Sequence, residues 1–576
     1  MPDEQIPGGA DPWAREPGSG GTVDRRRFLL GAAAGVGGLT ATARGAGGGA
    51  GAANRARGPR HPAPARAGSR PPLPAVSPVT LPSGVVVPVA RWLVLENEKP
   101  GTIDWIVTGV QTPHAIEGYA GQVSAVPGDE VALFINTTAG SVSMQAFRMG
   151  YYQGLGGRLI FESDTVAGVR QPPSTLTSGV NTVSCPWEPS LSFGVDDTWP
   201  PGNYLLKIQG DGGEQQYVPL TVRDDSSTAA FVIQNSVTTW QAYNLWGGYS
   251  LYYGRSGSGQ DFANRARVVS FDRPYPQTWA QGCADFLGNE FPLLYDLERL
   301  GLDVTYWTDV DLHERPSLLA NHRCLFSLGH DEYWSTPMRN GASQALNQGT
   351  NLAFLGANAC YRQIRLEPSP VGASRLEVCY KDAAEDPMAR DHPALTTVNW
   401  NQDPVNDPES KLIGSMYQSV RAKDDLVVTD ASHWLLSGCG LTDGQHLPSV
   451  VEGEYDRYVP DLPGPRNVDV VCHSPVARQG NWSDITYYTT PSGGGVLATG
   501  NASFVGKLSN TTAFPSNVVA AATPGVTDIL LRAMENVYGT FGNGPASVTR
   551  PSGGNWGAVY QGSAATAESA QPTNAA

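Results

Sequence analysis

A short run, Gly329-His330-Asp331-Glu332-Tyr333-Trp334-Ser335, places an imidazole and a carboxylate two residues apart. In an extended segment successive side chains alternate, so His330 and Glu332 point the same way. One more oxygen or nitrogen ligand would make a metal site, and Asp309, Asp311 and His313 are close in sequence. A bare His-x-Glu pair is by default a structural hydrogen-bonding pair rather than a metal site, and Glu332 can simply cap the helix announced by Ser335-Thr336-Pro337. Two other stretches are dense in polar and aromatic groups: 238–252 (TTWQAYNLWGGYSLY) and 356–362 (GANACYR). The tyrosines of the first, Tyr249 and Tyr252, with Tyr253 just beyond it, make a packing or sugar-stacking surface by default. Asn358, near a glycine, is by default a turn residue. HExxH, Walker A and strand-borne GxSxG motifs are absent, so none of those chemistries is indicated.

All three stretches follow apolar runs that read as strands: 229–234 (AAFVIQ), 324–328 (CLFSL) and 351–355 (NLAFL). Runs at 266–271 (ARVVSF) and 303–307 (DVTYW) have the same texture. Helix candidates lie between them. One spans 290–300, with Phe291, Leu294, Leu297 and Leu300 at helical spacing; another spans 336–348 and stops at Gly349. Doubly apolar strands alternating with helices predict a parallel sheet covered on both faces. Ligands bind such sheets beyond the C-terminal strand ends, so the three stretches should share one rim. Residues 366–500 read as β-rich insertions closing with 495–500 (GVLATG), and a helix at 525–538 should cover the sheet.

Before this region the texture is all β. Segments such as 127–136 (PGDEVALFIN), 200–208 (PPGNYLLKI) and 216–222 (QYVPLTV) alternate and are punctuated by turns. That pattern predicts an antiparallel sandwich of immunoglobulin type, a spacer or lid with no chemistry of its own. The expected organisation is a signal segment at 1–43, a disordered Pro/Gly/Arg-rich linker at 44–84, the immunoglobulin-like sandwich at 85–225, an α/β domain at 226–540 and a disordered tail at 541–576.

The chain has 576 residues and a formal net charge of −15. The first 70 residues carry +5, so the remainder carries −20, which argues against binding nucleic acid or an anionic membrane surface. Hydrophobic residues at 40 % and 14 Trp can fill real cores. No apolar run approaches the ~20 residues of a membrane span. Arg25-Arg26-Arg27-Phe28-Leu29-Leu30, a weak apolar stretch and Ala41-Thr42-Ala43 together read as a twin-arginine export signal, which predicts an extracellular or cell-envelope protein. Seven cysteines without a CxxC pair exclude zinc-ribbon and thioredoxin motifs; an oxidising exterior permits one or two disulfides at most.

The stretches TWQAYNLWGGYSLY, LFSLGHDEYWS and LAFLGANACYRQI resemble the large (beta) subunit of N,N-dimethylformamidase and exported proteins sharing its C-terminal domain; the resemblance covers roughly 228–510. It implies a glutamine-amidotransferase-like, doubly wound parallel-sheet domain. It also implies a mononuclear iron held by two tyrosines and a glutamate, which map to Tyr243, Tyr252 and Glu332, with Tyr249 and Tyr253 as competitors for the second tyrosine. The family's active-site His, Asn and further Glu map to His330, Asn358 and Glu454.

A free tyrosine does not ionise at neutral pH. A hard trivalent cation favours phenolate and carboxylate oxygens, and two phenolates plus one carboxylate carry −3, which suits Fe(III) better than Zn(II). The expected function is hydrolysis of an amide-like C–N bond in a small molecule, with His330 or Glu454 moving the proton and Asn358 holding carbonyl or water. The alternatives are a non-catalytic exported module binding glycan or another surface polymer, and a zinc hydrolase using His330, Glu332 and a nearby carboxylate or His. A small subunit or a homo-oligomer is left open.

Overall fold

A computed structural model describes residues 75–109, 112–256, 259–509, 523 and 525–569. The export-signal segment, most of the expected linker and the last seven residues lie outside the described residues. The protein is a mixed α/β molecule with many sheets and few helices.

The main strands of an N-terminal β region are β1 (Ile116–Ala120), β2 (Glu130–Thr137), β3 (Ser141–Met149), β4 (Gly157–Glu162), β5 (Leu191–Gly194), β6 (Gly202–Gly210) and β7 (Gln215–Val222). One antiparallel sheet runs β5-β2-β1; the other runs β7-β6-β3-β4, all antiparallel, with the short strand Ser124–Ala125 added parallel to β7 and Val166–Ala167 added antiparallel to β3. Alternation decides how they pack. Val131, Leu133 and Ile135 of β2, Val142, Met144 and Ala146 of β3, and Tyr204, Leu206 and Ile208 of β6 all point into one core between the sheets. The outer face of the larger sheet is not solvated. Phe147, Met149, Leu205 and Tyr217 enter a second core together with Phe231, Phe291 and Phe326 from the following region. Thus Leu205-Leu206 are both buried because their sheet is covered on both sides.

The following region contains β8 (Phe231–Asn235), α1 (Val237–Tyr243), α2 (Phe291–Arg299), β9 (Val304–Thr308), β10 (Cys324–Gly329), β11 (Tyr333–Ser335), α3 (Thr336–Leu346), β12 (Asn351–Gly356), β13 (Arg362–Glu367), β14 (Met416–Val427), β15 (His446–Arg457), β16 (Asp469–Val476), β17 (Asn481–Thr489), β18 (Gly495–Ala498) and α4 (Val526–Gly542). Its main sheet has the order β9-β8-β10-β12-β18-β17-β16. The first five strands are parallel, and β17 and β16 close the edge antiparallel. Successive side chains divide between two cores. Phe231, Ile233, Phe326, Leu328, Ala353 and Leu355 face α2 and α4. Val232, Leu325, Leu352 and Phe354 face α3. Burial on both faces is what the unbroken apolar runs encode. Ser335 caps α3 by accepting from Met338 N at 3.4 Å, and Pro337 fits the first turn.

Several expectations need correction. The run at 266–271 does not join the main sheet: Val268–Ser270 pairs antiparallel with Leu376–Val378, which in turn pairs with β13. Apolar texture reports burial, not sheet membership. Within 238–252, the first part is helix α1 rather than loop. The linker expected to be disordered to residue 84 contains Val76–Thr80, paired with Val86–Ala90. The expected disordered tail holds a helix, Trp556–Ser569; the Trp556 ring packs at a tilt 5.4 Å from that of Tyr458, and Tyr560 donates to Tyr458 O at 2.7 Å. Two aromatic anchors outweigh the Gly/Ser/Ala composition there. All seven cysteines are free thiols, with no disulfide. No helix among the described residues is long and apolar enough to cross a membrane.

Candidate functional site

Strands β8, β10 and β12 are adjacent and parallel, so their C-terminal ends lie side by side. Gly329 ends β10 with φ 60°, a left-handed turn that costs glycine little and swings His330 out of the sheet. Its register partner Gly356 ends β12, where an added Cβ would sit 1.5 Å from Gly329 O. The two glycines let the chains run in close contact up to the rim, where each leaves the sheet. Beyond them come His330-Asp331-Glu332 on one side and Asn358, with φ 56°, on the other. Helix α1 follows β8 and carries Tyr243 at its last position.

These segments meet on the Glu332 carboxylate. Tyr243 Oη donates to Oε2 at 2.8 Å and Tyr252 Oη to Oε1 at 2.7 Å; the two hydroxyl oxygens are 3.0 Å apart. Glu332 is buried, whereas Tyr243, Tyr252, His330 and Glu454 each keep some exposure, so the cluster is open on one side. The Glu332 main chain is fixed by N–H donation to Thr239 Oγ1 at 2.9 Å and by its carbonyl accepting from Tyr361 and Arg362 N–H. Asp331 turns the other way and accepts from Ser327 and Gln234. Tyr253 places its ring 6.3 Å from that of Tyr252, and Tyr249 packs beside Trp246.

His330 Nε2 lies 3.4 Å from Glu332 Oε2, 3.1 Å from Glu454 Oε2 and 3.4 Å from Asn358 Nδ2. Glu454 arrives on β15, from a long β14–β15 hairpin inserted far downstream of the rim. The same strand brings Asp456, whose Oδ1 accepts from Asn358 N at 2.8 Å. Thus all six residues singled out from the sequence, Tyr243, Tyr252, His330, Glu332, Asn358 and Glu454, are linked by short contacts. Asp309, Asp311 and His313 are not part of the cluster: Asp309 accepts from Thr238 and Gln234, Asp311 closes the capping box with Thr308, and His313 bonds Ser335. Among the described residues, no three His, Cys, Asp or Glu side chains form a metal-holding group.

Electrostatics sort the protons. Burial alone would pull His330 down, but the Glu454 and Glu332 carboxylates outweigh it and push it up to about 9, so the ring is an imidazolium at neutral pH. Burial would raise Glu332; the charges of His330, Lys381 and Arg362 and the Tyr252 hydroxyl bring it below the usual carboxylate range. Burial and the Glu332 charge hold both Tyr243 and Tyr252 well above the ordinary phenol value, so without a cation they are neutral donors. Burial, with Glu409 and Glu454 nearby, pushes Asp456 up to about 8.

Sequence reasoning gave no role to several groups at this site. Arg362 Nε is 3.5 Å from Glu332 Oε1, and Lys381 Nζ stands 3.2 Å from the Tyr252 ring centroid while donating to Tyr333 Oη at 2.6 Å. Burial drives the Lys381 ammonium well below its usual range. Arg362 was legible as the last residue of GANACYR. Lys381 carried only the signal of being one of six lysines in the chain.

The model of the family described as N,N-dimethylformamidase beta subunit-like, C-terminal, matches residues 143–516, more than half of the chain. The chain belongs to this family. The match begins within β3, so it takes in most of the sandwich as well as the region from 228 onward. No curated protein matches the chain. Among solved structures, a cycloisomaltooligosaccharide glucanotransferase from Paenibacillus sp. is 10 % identical over 67 % of this chain and 68 % of that one, with a TM-score of 0.15; a likeness this low carries no argument.

Proposed function

We propose that this family member is a metal-dependent hydrolase of an amide-like C–N bond in a small molecule. The observation that carries the proposal is the pair of phenol hydroxyls converging on the two oxygens of one buried carboxylate. The oxygens suit a single hard cation. Three side chains from separate segments bring oxygen donors alone within hydrogen-bonding distance of one another, the donor set such an ion would prefer. The three separations here are 2.8, 2.7 and 3.0 Å. Hydrogen bonds now span distances that ligation would also span once the phenol protons leave. Tyr243, Tyr252 and Glu332 would hold a mononuclear Fe(III), whose charge offsets two phenolates and a carboxylate. Bound there, the ion would supply Lewis acidity toward the amide carbonyl and toward water.

The chain's own groups account for the proton movements. His330, charged and held by Glu454, is placed to protonate the departing amine, the poor leaving group that makes amides slow to hydrolyse. Glu454 then accepts a proton arriving from water. An imidazolium donates from both nitrogens, so Asn358 is best satisfied with its amide oxygen toward His330 Nε2. That leaves its NH2 free to donate to the substrate carbonyl oxygen. Arg362 and Lys381 keep Glu332 ionised and ready to bind the cation.

The two finer fold assignments, an immunoglobulin-like sandwich and a glutamine-amidotransferase-like doubly wound domain, belong to this proposal, as does twin-arginine export to the cell envelope or beyond. The core shared by the two N-terminal sheets supports the first, the parallel strands covered on both faces support the second, and the paired arginines and weak apolar stretch within residues 1–43 support export. The test is amine release from a panel of small N-alkyl amides by iron-loaded protein. The proposal expects release by the wild type and none by Glu332→Gln. No release from any amide by protein carrying its iron would overturn it.

A further inference from the structure

Eight residues lie between Tyr243 and Tyr252, and the turn they form contains Gly247 and Gly248 at φ 78° and 86°. Two tyrosines on so flexible a connection would not hold a fixed oxygen spacing unaided. The guanidinium of Arg273, 1 % exposed, sits inside the turn. Nη1 donates to Trp246 O at 3.1 Å and Tyr249 O at 2.8 Å; Nη2 donates to Asn244 O at 3.0 Å and Gln241 O at 3.4 Å; Nε reaches Gln241 Oε1 at 3.4 Å. Four of these acceptors are main-chain carbonyls, spaced from two residues before Tyr243 to three before Tyr252. Asn244 adds a second brace, donating to Gln241 Oε1 at 2.7 Å and Pro274 O at 2.9 Å while accepting from Trp246 N at 2.9 Å. The arginine itself is anchored. It follows Val268–Ser270, paired with Leu376–Val378, and its neighbour Asp272 accepts from Arg375 at 2.8 Å.

We infer that Arg273 is a positioning residue that sets the Tyr243–Tyr252 separation by gathering the carbonyls of the turn between them, and so governs how well the site takes a metal ion. The inference rests on the metal-site assignment made above. Only a planar fork with five N–H donors can reach all of these acceptors from one buried point; a lysine ammonium has three donors on one atom. Arg273 touches neither the Glu332 carboxylate nor the phenol oxygens, so its effect passes through the backbone.

The experiment compares wild type, Arg273→Lys and Arg273→Met with two readouts: amide hydrogen exchange over residues 244–251 in metal-free protein, and iron affinity by chelator competition with the visible spectrum. The inference expects faster exchange confined to the turn. It also expects iron affinity lower by about 10–100-fold and a shifted phenolate band, less so in Arg273→Lys than in Arg273→Met, the range seen when groups behind metal ligands are removed. Unchanged exchange in the turn, or iron affinity within about twofold of wild type in a folded Arg273→Met, would overturn it. If the arginine variants do not fold, Gly247→Ala, strained at a positive φ and 2.6 Å from Val183 Cγ1, loosens the turn with the arginine present. It should weaken iron binding likewise, and unaltered binding would count against the inference. Wild-type protein that binds no iron would refute the metal-site assignment instead, and the exchange readout would still decide the role of Arg273.

Discussion

Glu96 should make the protein sensitive to acid through a junction far from the candidate site in sequence. It lies on the helix Arg91–Asn97 and is 3 % exposed. Its carboxylate meets Lys99 Nζ at 2.7 Å, Arg158 Nη2 at 2.6 Å and the Tyr152 hydroxyl at 2.8 Å. Tyr152 is also hydrogen-bonded to Arg148 of β3, whose guanidinium makes a two-pronged contact with Glu298 of α2 at 2.9 and 2.7 Å. One polar cluster therefore ties the N-terminal helix, the sandwich and the α/β region together. Burial alone would raise the Glu96 pKa, but Arg148, Lys99, Arg158 and Tyr152 bring it down from 4.5 to about 2. A depressed acid contributes stability that is complete above about 4.5 and lost as pH falls through 2. At ~1.4 kcal/mol per unit, the shift is worth about 3 kcal/mol. The assay is thermal and urea unfolding of wild type and Glu96→Gln from pH 7 down to pH 2. The wild type should be more stable by about 3 kcal/mol at pH 6, with the gap closing between pH 4.5 and 2. A gap that is absent at pH 6, or that persists undiminished at pH 2, would refute the reasoning.

At the site, His330→Ala and Glu454→Gln should each retain iron while slowing turnover by about 10²–10⁴, the usual worth of a placed acid or base; full activity in either variant would remove it from the mechanism. Replacing Arg148 with Met strands the buried Glu298 carboxylate and should destabilise the fold by about 3–5 kcal/mol, read as a lower urea midpoint. Six cysteines are buried and Cys439 is half-buried, all as free thiols. Native protein should therefore react with at most one equivalent of thiol reagent and denatured protein with seven, and reductant should leave the melting temperature unchanged. A drop in melting temperature on reduction would reveal a disulfide.

What the sequence made legible was the rim. Strand runs 229–234, 324–328 and 351–355 are apolar on both faces because each strand feeds two cores, and the glycines at 329 and 356 mark where the chains leave the sheet. Glu454 was harder to place, because only a hairpin formed by Met416–Val427 and His446–Arg457 carries it back to the rim, and neither periodicity nor spacing encodes that return. Lys381 and Arg273 are invisible to motif reasoning for a related reason. Each acts through three-dimensional neighbours, one above a tyrosine ring and one inside a turn of carbonyls, while its own sequence context is unremarked strand end or loop. The misplaced run at 266–271 and the structured residues beyond 545 show the converse. Composition reports whether a segment is buried or polar on average, and a few specific contacts, such as Trp556 on Tyr458, decide where it goes.

The most direct test of the central claim is the iron content and visible spectrum of the purified native protein beside Tyr243→Phe. One iron per chain with a phenolate-to-metal absorption band, diminished or lost in the phenylalanine variant, is the outcome expected if Tyr243, Tyr252 and Glu332 grip one ion. A colourless protein that takes up no iron when grown and purified with iron in excess would contradict it.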